Sequence, residues 1–117
     1  MHELSLCYGL LDQVQQVVVE RAAQRATRIE LRIGPLSGAE PELLKAAFPV
    51  AAAGTVAEGA ELVMERGVVE VRCGECGATG EVPSNRLLCP ACESWRTQVV
   101  SGDELLLTSL ELELAEE

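Results

Sequence analysis

With 117 residues, nine basic side chains against nineteen acidic ones and a formal net charge of −10, the chain is the size of one small domain with a modest core. No run approaches the roughly 18 consecutive apolar residues of a membrane span. The negative balance repels phosphate backbones, so neither a membrane nor a nucleic acid is expected as a partner.

From Leu6 to Ala26 the apolar residues Cys7, Leu10, Leu11, Val14, Val17, Val18 and Ala22 recur at three- and four-residue steps, which predicts an amphipathic helix with Ser5 as N-cap and Met1 to Leu4 as a lead-in. Arg28 to Ile33 then alternates polar and apolar before Gly34-Pro35, the pattern of a strand with one buried face. Around Glu40-Pro41-Glu42 an acidic first turn with proline near N1 opens a second helix, with Leu43, Leu44, Ala47 and Phe48 on one face and Pro49 expected to kink or end it. Glu61 to Val71 reads as strand, bend at Gly67 and strand; Thr97 to Val100 as a short strand; and Glu104 to Leu114 as a last strand alternating Leu110, Leu112 and Leu114 with Glu111 and Glu113.

This order predicts an α+β fold, a small domain of two helices on a three-stranded sheet with an inserted four-cysteine, zinc-ribbon-like module. The expected division is residues 1–71 and 103–117 for the α/β domain and 72–102 for the insertion, whose entry near Arg72 and exit near Gly102 come together if the flanking strands pair.

Cys73-x-x-Cys76, twelve intervening residues and Cys89-x-x-Cys92 form the most specific motif in the chain. Two tight turns of this kind converge four thiolates on one tetrahedral zinc, and four protein ligands leave no open position, so the site is structural and not catalytic. Two disulfides would need an oxidising compartment, whereas the start Met1-His2-Glu3-Leu4 carries no secretory signal, so a cytoplasmic protein is expected. A redox dithiol fits less well, since that motif stands singly at a helix start. Between Arg72 and Gln98 three arginines balance three glutamates, leaving no basic stripe for nucleic acid.

His2, the only histidine, adjoins the amino terminus. The Met1 amine, the His2 amide nitrogen and the His2 imidazole form fused five- and six-membered chelate rings that suit Ni(II) or Cu(II), and Glu3 adds an oxygen; the plainer alternative is a frayed terminus that binds nothing. Cys7 reads as a buried small hydrophobe and Trp95 as a cover over the zinc turns. With one histidine there is no nucleophile–base set and no phosphate-binding glycine loop, so no enzyme is expected.

Met1-His2-Glu3-Leu4-Ser5-Leu6-Cys7, Ile33-Gly34-Pro35-Leu36-Ser37-Gly38, Gly54-Thr55 with Gly59-Ala60, the four cysteines with Cys89-Pro90, and Gly102-Asp103-Glu104-Leu105 running into Ser109-Leu110-Glu111-Leu112-Glu113 occur in one order along the whole chain. Together they resemble the HypA family of hydrogenase nickel-insertion proteins. The resemblance implies nickel at His2 and Glu3, zinc at Cys73, Cys76, Cys89 and Cys92, and an additional acid for nickel at Glu40. It further implies a metallochaperone that passes Ni(II) to the large subunit of a [NiFe] hydrogenase, with a GTPase of the HypB type as partner. Two other readings are a nucleic-acid-binding zinc ribbon, disfavoured by charge and by Trp95 as the single aromatic of the zinc segment, and a zinc-stabilised scaffold with an inert N-terminus.

Overall fold

The computed structural model describes residues 3–115. In chain order the elements are α1 (Glu3–Glu20), β1 (Ala23–Ile33), α2 (Pro41–Ala52), β2 (Glu61–Arg66), β3 (Val69–Cys73), β4 (Thr79–Val82), β5 (Thr97–Ser101) and β6 (Leu105–Leu114). They form two three-stranded sheets, ordered β2-β1-β6 and β4-β3-β5. The α+β class and the two-helix, three-stranded arrangement read from the sequence are both present.

The chain divides into two compact units, with boundaries inside β1, β2 and β6 and in the loop between Gly38 and Ala39. The first holds α1, β1 to Leu31, Ala39–Met64 and the chain from Leu107; the second holds Arg32–Gly38 and Glu65–Leu106. In the first, Cys7, Leu10, Leu11, Val14 and Val18 of α1, Ile29 and Leu31 of β1, and Leu44, Phe48, Ala51 and Ala52 of α2 are buried. Each fully buried large aliphatic of that set contributes about 1.5–3 kcal/mol relative to exposure, enough in sum to hold α1 against α2. In the second unit Val69, Val71 and Val82 form a smaller core, with Leu87 and Val99 packed on it.

β3 is the middle strand of the second sheet and pairs antiparallel on both sides. Val69 lies opposite Val82 and Arg72 opposite Thr79, while Glu70 faces Ser101 and Cys73 faces Thr97 across a bulge at Glu70/Val71. The entry and exit of the cysteine segment are thus hydrogen-bonded neighbours.

Several local expectations need correction. The first helix begins at Glu3, which puts Ser5 inside its first turn and removes the N-cap role, and it ends at Glu20, not Ala26. Ala22 takes the left-handed conformation (φ 52), reversing the chain without glycine or proline, so β1 starts at Ala23. Ala26, expected on the helix, is a buried strand residue whose N–H donates to the Val56 carbonyl at 2.8 Å.

Pro49 does not end α2, which continues to Ala52. A proline there forfeits only the bond to the carbonyl four residues earlier, that of the exposed Lys45, and burial of Ala51 and Ala52 retains the last turn. Leu43 stands 48% exposed, so the buried face of α2 is carried by Leu44 and Phe48. β4 was not foreseen at all.

Candidate metal centre

Two turns build the cysteine site from within the second unit. After Cys73 the chain folds back so that the Gly77 N–H donates to the Cys73 carbonyl (3.1 Å), and after Cys89 the Glu93 N–H donates to the Cys89 carbonyl (2.9 Å). Each turn closes with a left-handed residue, Gly77 (φ 75) in the first and Glu93 (φ 63) in the second. Glycine adopts that conformation freely, whereas glutamate pays roughly 1–2 kcal/mol for it. The turns are held by pairing: Gly74 donates to the Arg96 carbonyl at 2.8 Å and Cys89 to the Ser94 carbonyl at 2.9 Å.

This folding directs backbone amides at sulfur. Cys73 Sγ accepts from the amides of Glu75 and Cys76, both at 3.3 Å, and Cys89 Sγ from those of Ala91 (3.3 Å) and Cys92 (3.4 Å). Hydrogen bonds to the charged form favour it. The Cys92 amide foremost, with help from that of Ala91 and against the opposing effect of burial, lowers the Cys89 thiol to about 6. Cys73 is lowered in the same way, chiefly by the Cys76 amide.

The four sulfurs lie within 4.8 Å of one another, with Cys73 and Cys92 at 3.7 Å and Cys76 and Cys89 at 3.5 Å. All are free thiols, and these separations are far beyond the roughly 2.05 Å of a disulfide. A tetrahedron with metal–sulfur bonds of about 2.3 Å has edges of about 3.8 Å. The cluster therefore has the dimensions, donor softness and amide support of a closed four-thiolate site, with no further protein ligand needed.

Of the other residues singled out from the sequence, His2 and the Met1 amine lie outside the described residues. Glu3 opens α1 and is buried, and Glu40 is the residue preceding α2. Two of the acids named for nickel thus belong to neighbouring helix starts, with the Glu40 side chain exposed. Cys7 is fully buried, its Sγ 3.8 Å from the Leu44 carbonyl, and burial raises its thiol, as befits a packing residue.

Trp95 does not cover the zinc turns. It is 74% exposed, and the Arg96 guanidinium sits 5.3 Å from its ring centre. The apolar support of this unit comes from the valines of β3 and β4 with Leu87 and Val99. The amides aimed at sulfur were also missed, although two Cys-x-x-Cys turns of equal length are the signal that could have suggested them.

The family model described as "Hydrogenase/urease nickel incorporation, metallochaperone, hypA" matches residues 1–112. The chain belongs to the HypA family. It is 46% identical over 112 residues to the hydrogenase maturation factor HypA of Nitrosospira multiformis, covering 96% of this chain and 97% of that one. With the HypA of Aquifex aeolicus it shares 43% identity over 114 residues, covering 97% and 99% of the two chains. Among solved structures, the solution structure of the Ni metallochaperone HypA from Helicobacter pylori superimposes with a TM-score of 0.78 at 25% identity, over 98% of this chain and all of that one. The likeness to HypA proteins thus extends through both units.

Proposed function

We propose that this chain is a nickel metallochaperone, a carrier and not an enzyme, that binds Ni(II) and delivers it for insertion into the large subunit of a [NiFe] hydrogenase during maturation. The observation that carries the reading is the HypA family match over residues 1–112. The working partner, as the resemblance to the family implies, is a GTPase of the HypB type, which would supply any nucleotide hydrolysis that transfer needs. No helix among the described residues is long and apolar enough to cross a membrane, and the reading places the protein in the cytoplasm.

We assign the two metals to different parts of the chain. Residues 72–102 form the zinc module, with zinc held by Cys73, Cys76, Cys89 and Cys92; residues 1–71 and 103–117 form the nickel-binding part, with Ni(II) as cargo on the Met1 amine, His2 and Glu3, and Glu40 as an additional acid. The chemistry supports this division. Soft thiolates in a closed set suit a resident Zn(II), while a terminal chelate of amine, amide nitrogen and imidazole suits Ni(II) that must later be released.

Metal titration of untagged protein tests the assignment. One zinc and one nickel per chain are expected, with His2→Ala abolishing nickel and retaining zinc. Equal nickel affinity for the wild type and His2→Ala, or an unchanged affinity after an N-terminal tag has converted the Met1 amine to an amide, would overturn it.

A further inference from the structure

The first sheet ends in two unequal edges. β2 is six residues long and carries Glu61, Glu65 and Arg66, whereas β6 is ten residues long and has no Pro, Lys or Gly. Among the described residues β6 has one strand neighbour, β1, so its other side presents unpaired backbone groups. Natural sheets usually blunt such an edge with charge, above all lysine, with proline or with brevity; β6 is long and its only charges are Glu111 and Glu113. Beside it lies an open groove of about 660 Å³ walled by Val17 and Arg21 of α1 and by the leucines of β6 from Leu107 onward. Leu114 is 66% exposed there.

The two faces of β6 differ. Leu110, Leu112 and Leu114 line the groove, while Glu111 and Glu113 alternate with them on the opposite face and reach β1, where Arg25 lies 2.7 Å from Glu113 and Arg28 lies 3.8 Å from Glu111. Arg28 is also shared with Glu30 (3.1 Å) and Glu61 (3.6 Å). Four glutamates thus draw on two arginines across this face, and β6 is an acidic strand with a basic neighbour on one side only. A second copy of the chain would set acid against acid, in molecules that each carry −10.

We propose that the free edge of β6 receives an extended segment of a partner polypeptide whose side chains alternate between apolar and basic. The backbone of that segment continues the sheet, its apolar residues enter the groove under Val17, and its basic residues stand beside Glu111 and Glu113 on the face left short of positive charge. This docking surface is independent of nickel ligation.

The test uses zinc-loaded, isotopically labelled full-length protein and three probes: a short peptide alternating valine and lysine, a peptide of the same composition with valines and lysines in separate blocks, and one alternating valine and glutamate. The Val/Lys alternating peptide is expected to shift and protect the amides of Leu107–Leu114 and to shift Val17 and Arg21. The other two should bind at least tenfold more weakly, and Leu114→Ser should weaken the first peptide about tenfold, the equivalent of about 1.4 kcal/mol. Equal binding of the blocked peptide, or shifts scattered over the acidic surface, would overturn the proposal as mere charge attraction. Sedimentation as a dimer with β6 amides already protected would overturn it in favour of a second copy.

Discussion

Gly34 and Gly102 meet backbone to backbone: a methyl group built on Gly34 would overlap the carbonyl oxygen of Gly102. The contact is fastened on both sides, by the Gly34 N–H donating to the Glu104 carbonyl at 2.8 Å and the Leu36 N–H donating to the Gly102 carbonyl at 2.7 Å. Gly102 itself has φ 116, and a Cβ there would lie 2.8 Å from the Cα of Val69. Neither glycine is a spacer. Both are places where three stretches of backbone of the second unit pass too closely for any side chain.

Gly34→Ala is therefore expected to cost about 3 kcal/mol or more, because the obstacle is backbone and cannot swing aside. Thermal or urea unfolding measures it, with a fall in Tm of roughly 10 °C expected. Gly9→Ala makes the contrast: a Cβ at Gly9, inside α1, meets nothing within 4 Å. There the exchange should stabilise by about 0.5–1 kcal/mol.

Acid should loosen the same crossing. The Glu104 carboxylate accepts the Gly102 N–H at 2.7 Å, and this bond foremost holds its pKa below the ordinary 4.5. A carboxyl whose folded-state pKa is depressed contributes its stabilisation in full above the unfolded value and loses it as pH falls through the folded value. Glu104→Gln should hence flatten the loss of stability below about pH 4.5. Parallel acid-unfolding curves for the variant and the wild type would contradict this.

Removing one thiolate should dissolve the second sheet and spare the helices. Cys89→Ser breaks a site whose binding free energy, roughly 10–16 kcal/mol for structural zinc, is also folding energy, and the five residues of the local apolar core are few to replace it. Hydrogen exchange is expected to show β3, β4 and β5 unprotected while α1 and α2 keep slow amides. Protection retained throughout in the metal-free variant would show that the unit folds on its own.

Glu3 should have a structural role separable from nickel. Glu3→Ala removes the buried carboxylate that opens α1 and is expected to lower stability, whereas Glu3→Gln, which keeps an acceptor oxygen, should lower it less. Unfolding of the nickel-free protein reads this effect alone.

The cysteine spacing, the helical period of Cys7 to Val18 and the Leu/Glu alternation of the last strand carried their structural meaning openly, because each is a local pattern with one economical solution. Other features had none. The turn at Ala22 uses a residue with no preference for positive φ, and β1 extends back to Ala23 through distant partners such as Val56 and Glu113. β4 contains Gly80 and one buried residue, Val82, and exists because β3 offers it an edge. Trp95 stays outside, and the small core of the second unit is made by Val69, Val71 and Val82 with Leu87 and Val99, none of them marked out by an aromatic. The acids at the two helix starts, Glu3 and Glu40, are far apart in the chain and come near one another only because α1 packs on α2, which no side-chain motif encodes.

The four sulfurs are not equivalent toward reagents. Cys73 and Cys89 are buried and each receives two amides, whereas Cys76 and Cys92 face solvent. Access and ionisation thus point in opposite directions: a reagent reaches Cys76 and Cys92 first, yet their thiols are raised while those of Cys73 and Cys89 behind them are lowered, so exposure alone does not choose the sulfur that reacts.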